Sequence, residues 1–134
     1  MSNLPEGVKV QKIIDGEKIY SIAPHLSGGI TDAETLEKIT NVAKKYDCLV
    51  KITSGQNMKL IGLEESNVQD AWQDLNIKFK QKSKLGCRGV RYCVGDNLCK
   101  LGNQDSIKLG KELEDKYLGI KLPSIMKMAV SGCN

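Results

Sequence analysis

"KIYSIAPHLSGGITDAETLEKITNVAKKYDCLVKITSGQNMKLIGL", residues 18–63, is the stretch from which the fold is read. Its first segment, "KIYSIAPHL", alternates apolar and polar positions and stops at Pro24, which predicts a strand. In "SGGITDAETLEKITNVAKKY" the residues Leu36, Ile39, Ala43 and Tyr46 share one helical face. Thr31 and Glu34 have capping-box spacing, so a helix is expected over residues 32–46. "CLVKITSGQNMKLIGL" then divides into strands at about 48–53 and 57–63 around a Ser54-Gly55 turn. Cys48, Val50 and Ile52 alternate with Leu49, Lys51 and Thr53. One strand face is therefore expected in the core, with Lys51 and Thr53 on the other.

A second helix is expected over residues 66–75, because Val68, Trp72 and Leu75 form a stripe while Glu65, Gln69 and Asp70 face away. The order strand, helix, strand, strand, helix is most of a ferredoxin-like split βαβ unit. Its final strand is expected from residues 77–80 or 88–92. Upstream, residues 1–17 read as a loose entry. Downstream, "KSKLGCRGVRYCVGDNLCKLGNQDS" (82–106) is dense in glycine, cysteine and polar residues, the texture of backbone wrapped around something. A third helix is expected over 104–117, with Leu109, Leu113 and Tyr117 at four-residue steps. "IMKMAVSG" then reads as a strand delivering Cys133 to a loop. There is no internal repeat.

A chain of 134 residues suits one compact unit and is too short for two full-sized domains. Aromatics are scarce, with Trp72 and Phe79 the only residues of their kinds. Without a stacking platform, nucleic-acid binding is not expected. The net charge of +4 comes mostly from dispersed lysines, the pattern of an ordinary solvated surface. Arg88 and Arg91 are the only arginines, and both stand beside cysteines, where planar donors to oxyanions are useful. No secretory leader is seen, and no apolar run approaches the ~18 residues of a membrane span, so a cytoplasmic location without membrane attachment is expected. Five cysteines in that compartment are expected to be reduced and available to metal.

Cys93 and Cys99 enclose "VGDNL", and Cys87 lies six residues before Cys93. Iron–sulfur clusters take thiolates from loops whose peptide N–H groups can point at sulfur. Zinc sites favour tighter pairs. Taken alone, the spacing leaves idle or buried thiols as an equal reading.

"CVGDNLCKLGNQDS" (93–106) resembles the cluster-binding segment of the sirohaem-dependent nitrite and sulfite reductases, in which two cysteines with five residues between them precede a polar stretch and a helix. "SGC" (131–133), after an apolar strand, is similar to the start of that family's second cysteine pair. "YSIAPHL" through "LIGL" (20–63) resembles its ferredoxin-like half domain. The resemblance implies an α+β chain: a half domain over 1–80, then the opening part of an α/β sirohaem and [4Fe–4S] domain over 81–134. It implies reduction of sulfite or nitrite on sirohaem iron beside a [4Fe–4S] cluster, with electrons from a ferredoxin-like or flavin partner. Cys93, Cys99 and Cys133 match the first three cluster ligands, and the fourth lies beyond Asn134. The chain is accordingly expected to be a fragment that breaks inside the second pair, with its cofactors absent or incomplete, and inactive alone. A homodimer would restore the second half domain that large members carry.

"VKITSGQNM" (50–58) resembles the family's strand–turn–strand that faces sirohaem and substrate. Both ligands are anionic, which favours cationic and hydrogen-bonding partners. Lys51, Lys59 and Arg91 are the candidates on the substrate side, and Lys51, Thr53, Gln56 and Arg91 on the cofactor side. A solvated hairpin face is the bland alternative. His25 reads as structural, Cys48 as strand core, Cys87 as a spare thiol, and Asp105 and Ser106 as a helix cap. Two rival functions are a non-catalytic sirohaem-binding module and an iron–sulfur electron carrier.

Overall fold

The computed structural model describes residues 7–77 and 85–134. Its contacts divide the chain into two compact units, Met1–His25 with Thr31–Phe79, and Leu26–Ile30 with Lys80–Asn134. The expectation of one compact unit thus gives way to two, each closing its own contacts.

The first unit is a four-stranded antiparallel sheet with two helices. In chain order its elements are β1 (Val8–Ile14), β2 (Glu17–Ile22), α1 (Ala33–Lys45), β3 (Leu49–Ile52), β4 (Met58–Leu63) and α2 (Val68–Leu75), and the sheet order is β1-β2-β4-β3. From β2 onward this is the ferredoxin-like arrangement of the half domain. The edge beside β2 is filled by β1. Residues 1–17 are therefore not a loose entry throughout. Asp15 and Gly16 both take positive φ, 49° and 86°, which makes the two-residue turn that matches strand twist and folds β1 back on β2. The final strand expected from 77–80 falls almost wholly outside the described residues. The alternative, 88–92, contributes a strand to the second unit instead.

The core of this unit lies on one sheet face. Tyr20, Ile22, Leu60 and Leu63 are buried together with Ile39, Val42 and Ala43 of α1 and Val68, Ala71 and Leu75 of α2. Leu60 and Leu63 both reach that face, although strict alternation would separate them. The ladder shifts register between Tyr20 and Ser21 opposite Gly62, whose φ of +122° accommodates a bulge. Burial of each such aliphatic side chain contributes about 1.5–3 kcal/mol. Asp32, not Thr31, caps α1, its carboxylate accepting from the Thr35 amide at 2.7 Å. At the other end of α1, Lys45 and the Tyr46 hydroxyl both donate to Asp74 of α2, at 2.6 and 2.8 Å. Trp72 is only half-buried.

β3 corrects the expectation of a core-facing strand. All four of its residues are exposed, Leu49 at 67% and Ile52 at 77%, and among the described residues β3 is the last strand of the sheet. Cys48 lies just before the strand and is half-buried, its thiol donating to the Tyr46 carbonyl at 3.8 Å.

The second unit contains β5 (Arg91–Tyr92), α3 (Ser106–Tyr117) and β6 (Ala129–Val130), with single 3-10 turns at Ser27–Gly29 and Gly95–Asn97. β5 and β6 pair in parallel, Arg91 with Ala129 and Tyr92 with Val130. The strand expected from 125–132 is thus two residues long. In α3 the expected stripe is displaced by one residue. Leu109 is exposed, whereas Ser106, Gly110 and Glu114 are buried. Asp105 caps this helix as expected, accepting from the Lys108 amide at 2.9 Å.

Candidate functional site

Lys51 and Lys59 are directly paired across β3 and β4, which puts both side chains on the same, helix-free face of the first unit's sheet. Register places Leu49, Ile61, Ser21 and Lys9 on that face as well. Gln11, at the irregularity of β1, accepts from Lys59 Nζ at 2.6 Å and from Ser21 Oγ at 3.4 Å. Partial burial, and then the positive charges of Lys9 and Lys51, push the Lys59 ammonium below the ordinary lysine range. The result is a face that carries three lysines together with Leu49, Ile61, Ser21 and Gln11. Such a surface can hold a flat, carboxylate-bearing ligand or a small oxyanion. Lys9 and Gln11 went unnoticed in the sequence; the Asp15-Gly16 dipeptide was the signal that would have placed them on a strand.

Thr53 and Gln56 shape the hairpin that joins these strands. The Thr53 amide donates to the Asn57 carbonyl at 2.8 Å, and the Thr53 hydroxyl donates to the same oxygen at 3.1 Å. The Asn57 amide in turn donates to Thr53 Oγ at 3.3 Å. The loop is thereby Ser54, Gly55 and Gln56, and Gln56 takes the left-handed conformation at φ 59°. A non-glycine residue there costs about 1–2 kcal/mol. Arg91 belongs to the second unit, where it is exposed on β5.

Three cysteine-bearing segments of the second unit meet at two glycines. Cys93 Sγ accepts from the Gly132 amide at 3.1 Å, which brings the segment of Cys133 against Cys93. The Cys99 amide donates to the Gly95 carbonyl at 2.9 Å. A Cβ on Gly132 would lie 2.5 Å from Gly95 Cα and 3.3 Å from Cys93 Sγ, so only glycine permits this approach. Gly132 also accepts through its carbonyl from the amides of Asn103 and Gln104, at 2.6 and 3.3 Å. Hydrogen bonding by Ser106, then by the Gly95 and Gly132 amides, holds the Cys93 thiol below its ordinary pKa. Cys93 and Cys133 are exposed, and Cys99 is half-buried.

Among the described residues, no three His, Cys, Asp or Glu side chains converge closely enough to hold one metal ion. A four-iron cluster is ligated at separate irons, so its cysteines need not share a focus. Peptide N–H groups aimed at sulfur and a glycine cradle beside it are features such a cluster uses, and the Cys93 loop fits one. Cys87 stands apart from this chemistry. It is buried, donates to the Arg88 carbonyl at 3.6 Å, and has its pKa raised by burial and by Glu114. His25 is half-buried after Pro24.

Residues 11–76 match the nitrite/sulfite reductase ferredoxin-like half domain. The chain is 40% identical over 121 residues to the nitrite reductase [NAD(P)H] of Bacillus subtilis, covering 90% of this chain and 15% of that protein. It is 31% identical over 134 residues to the assimilatory-type sulfite reductase of Nitratidesulfovibrio vulgaris, covering 99% of this chain and 60% of that one. The chain thus spans less than two thirds of either relative. Among solved structures, the Mycobacterium tuberculosis NirA protein superposes with a TM-score of 0.71 at 20% identity, over 88% of this chain and 23% of that one. That likeness is one of fold.

Proposed function

We propose that this chain, which belongs to the sirohaem-dependent nitrite/sulfite reductase family, forms part of a reductase of nitrite or sulfite in the cytoplasm. Its functional division is a half domain over 1–80 and the start of the sirohaem and [4Fe–4S] domain over 81–134. Cys93, Cys99 and Cys133 would hold the cluster, and Lys51, Lys59, Thr53, Gln56 and Arg91 would serve the sirohaem and substrate side. When bound, these two cofactors supply the electrons and the iron at which the oxyanion is reduced.

The residues of the chain bind and orient. The lysine face of the first unit neutralises carboxylates and substrate charge, while Leu49 and Ile61 offer apolar surface to a macrocycle. Thr53 holds the turn between the two lysine-bearing strands through its bonds to Asn57. Partial burial, and then Lys9 and Lys51, lower the Lys59 pKa and so ease its loss of a proton. Arg91 offers a planar donor in the residue pair preceding Cys93. The electron donor is assigned by class, a ferredoxin or a flavoprotein, and a second half domain would come from a partner copy or from further chain.

The observation that supports this reading most is the Cys93 sulfur, which accepts a peptide N–H from the segment of Cys133. The experiment is anaerobic reconstitution with iron, sulfide and sirohaem, followed by quantification of each. Uptake of both cofactors supports the reductase. Sirohaem alone would favour a tetrapyrrole-binding module, cluster alone an electron carrier, and uptake of neither by a longer chain that carries the fourth ligand would contradict the assignment.

A further inference from the structure

The buried face of α3 consists of Ser106, Gly110 and Glu114, one residue per turn, and each engages the segment that ends at Cys93. Glu114 Oε1 accepts from the Val90 amide at 3.1 Å. Its other oxygen accepts from Ser27 Oγ at 2.6 Å, and Ser27 lies 2.8 Å from the Tyr92 hydroxyl. Gly110 lies flat against the Tyr92 ring, where a Cβ would fall 2.2 Å from Cδ1. Ser106 Oγ donates to the Cys93 carbonyl at 2.7 Å and lies 3.3 Å from Cys93 Sγ. The helix therefore grips Val90, Tyr92 and Cys93 with successive turns.

Apolar residues in place of Ser106 and Glu114 would bury more hydrocarbon without a hydrogen-bond requirement. A polar face with this register has another use. Main-chain and side-chain atoms of Cys93 are both tied to one fully buried hydroxyl, so neither can turn without leaving that hydroxyl short of a partner.

We propose that Ser106 is the positioning residue for the Cys93 sulfur, with Gly110 and Glu114 holding the strand behind it, and that Ser106 thereby sets the reduction potential of the cluster Cys93 ligates. The first part concerns the chain by itself; the second rests on the reading of Cys93 as a cluster ligand. A hydroxyl has one hydrogen and two acceptors here, the carbonyl and the sulfur. As negative charge builds on sulfur in a reduced cluster, the hydrogen is drawn to it, which favours the reduced state.

The test uses the 134-residue chain with Ser106→Ala, Ser106→Thr and Ser106→Cys. The readout that needs no cluster is hydrogen exchange at the Gly132 amide, whose acceptor is Cys93 Sγ. Ser106→Ala is expected to speed it about tenfold relative to the α3 amides, and Ser106→Thr, which keeps the hydroxyl, to hold it within about twofold. Ser106→Cys, close in shape and a weaker donor, falls between and serves if the alanine variant does not fold. In cluster-loaded protein, Ser106→Ala is expected to lower the potential by about 59 mV, a tenfold shift for a one-electron couple. Unchanged Gly132 exchange, or an unchanged potential in a cluster that Cys93 ligates, would overturn the proposal. Iron and sulfide retained in Cys93→Ala would refute the ligand reading instead, and the exchange result would still decide the positioning.

Discussion

Lys51 and Lys59 stand directly opposite one another on the open face of the first unit's sheet. Like charges at such a position oppose folding by roughly 0.2–1 kcal/mol. Their retention is accounted for if the face serves an anion. Lys51→Gln is expected to raise the thermal midpoint at low ionic strength, with the gain shrinking as salt screens the pair. The same substitution should weaken retention of sulfite or nitrite. Calorimetry in low and high salt checks the first statement, and titration of the anion the second.

Lys59 gives a pH dependence whose sign is fixed by its lowered pKa. In the folded chain it loses its proton at lower pH than an unfolded lysine, which titrates near about 10.4. Between those two values the unfolded state binds more protons, so the contribution of Lys59 to stability rises with pH. Anion binding needs the charged form and falls over the same window. Denaturant midpoints of wild type and Lys59→Met, compared from pH 8 upward, should converge as pH rises. Divergence would count against the arrangement of Lys9, Lys51 and Lys59.

Gly110→Ala inverts an ordinary rule. In an exposed helix interior the change stabilises by about 1 kcal/mol. Here the new methyl would collide with the Tyr92 ring, 2.2 Å from Cδ1 and 2.5 Å from Cγ. The variant is expected to lose about 1–3 kcal/mol, as overpacked cores do, read as a lowered denaturant midpoint.

Glu114→Ala strands a buried Val90 N–H and removes the acceptor of Ser27. The expected loss is about 1–3 kcal/mol for leaving such groups unsatisfied. Glu114→Gln, which keeps an acceptor for Val90, should lose less. Equal losses in the two variants would show that the carboxylate charge matters more than the hydrogen bond.

The helices of the first unit and three of its strands, β2, β3 and β4, were legible because their signals are local. Periodic apolar residues marked α1 and α2, and the alternation of residues 57–63 marked β4. β1 was not legible by that route, since six of its seven residues are exposed and only the Asp15-Gly16 turn betrays it. β3 looked like a core strand because sequence shows alternation but not which of a strand's residues other elements cover, and all four of its residues are exposed. The α3 face was misread for a chemical cause. Leu109 and Leu113 have the apolar character expected of a core, yet the inward residues Ser106, Gly110 and Glu114 were chosen by their hydrogen bonds and by the thickness of Tyr92. Of the candidate site, Cys93, Cys99, Lys51 and Lys59 were proposed from the resemblance of their segments to the family, since the spacing alone left idle thiols as an equal reading. Lys9, Gln11 and Glu114 depend on long-range register that no short motif encodes.

The central claim is that Cys93, Cys99 and Cys133 ligate one cluster. Iron and acid-labile sulfide per chain, measured after anaerobic reconstitution of the wild type and of each single Cys→Ser variant, test it most directly. In a chain that carries the fourth ligand, iron–sulfur absorbance is expected, with its loss or marked weakening in Cys93→Ser, Cys99→Ser and Cys133→Ser, and with Cys48→Ser and Cys87→Ser unaffected. Undiminished iron and sulfide in Cys93→Ser, or a loss confined to Cys48→Ser or Cys87→Ser, would contradict it.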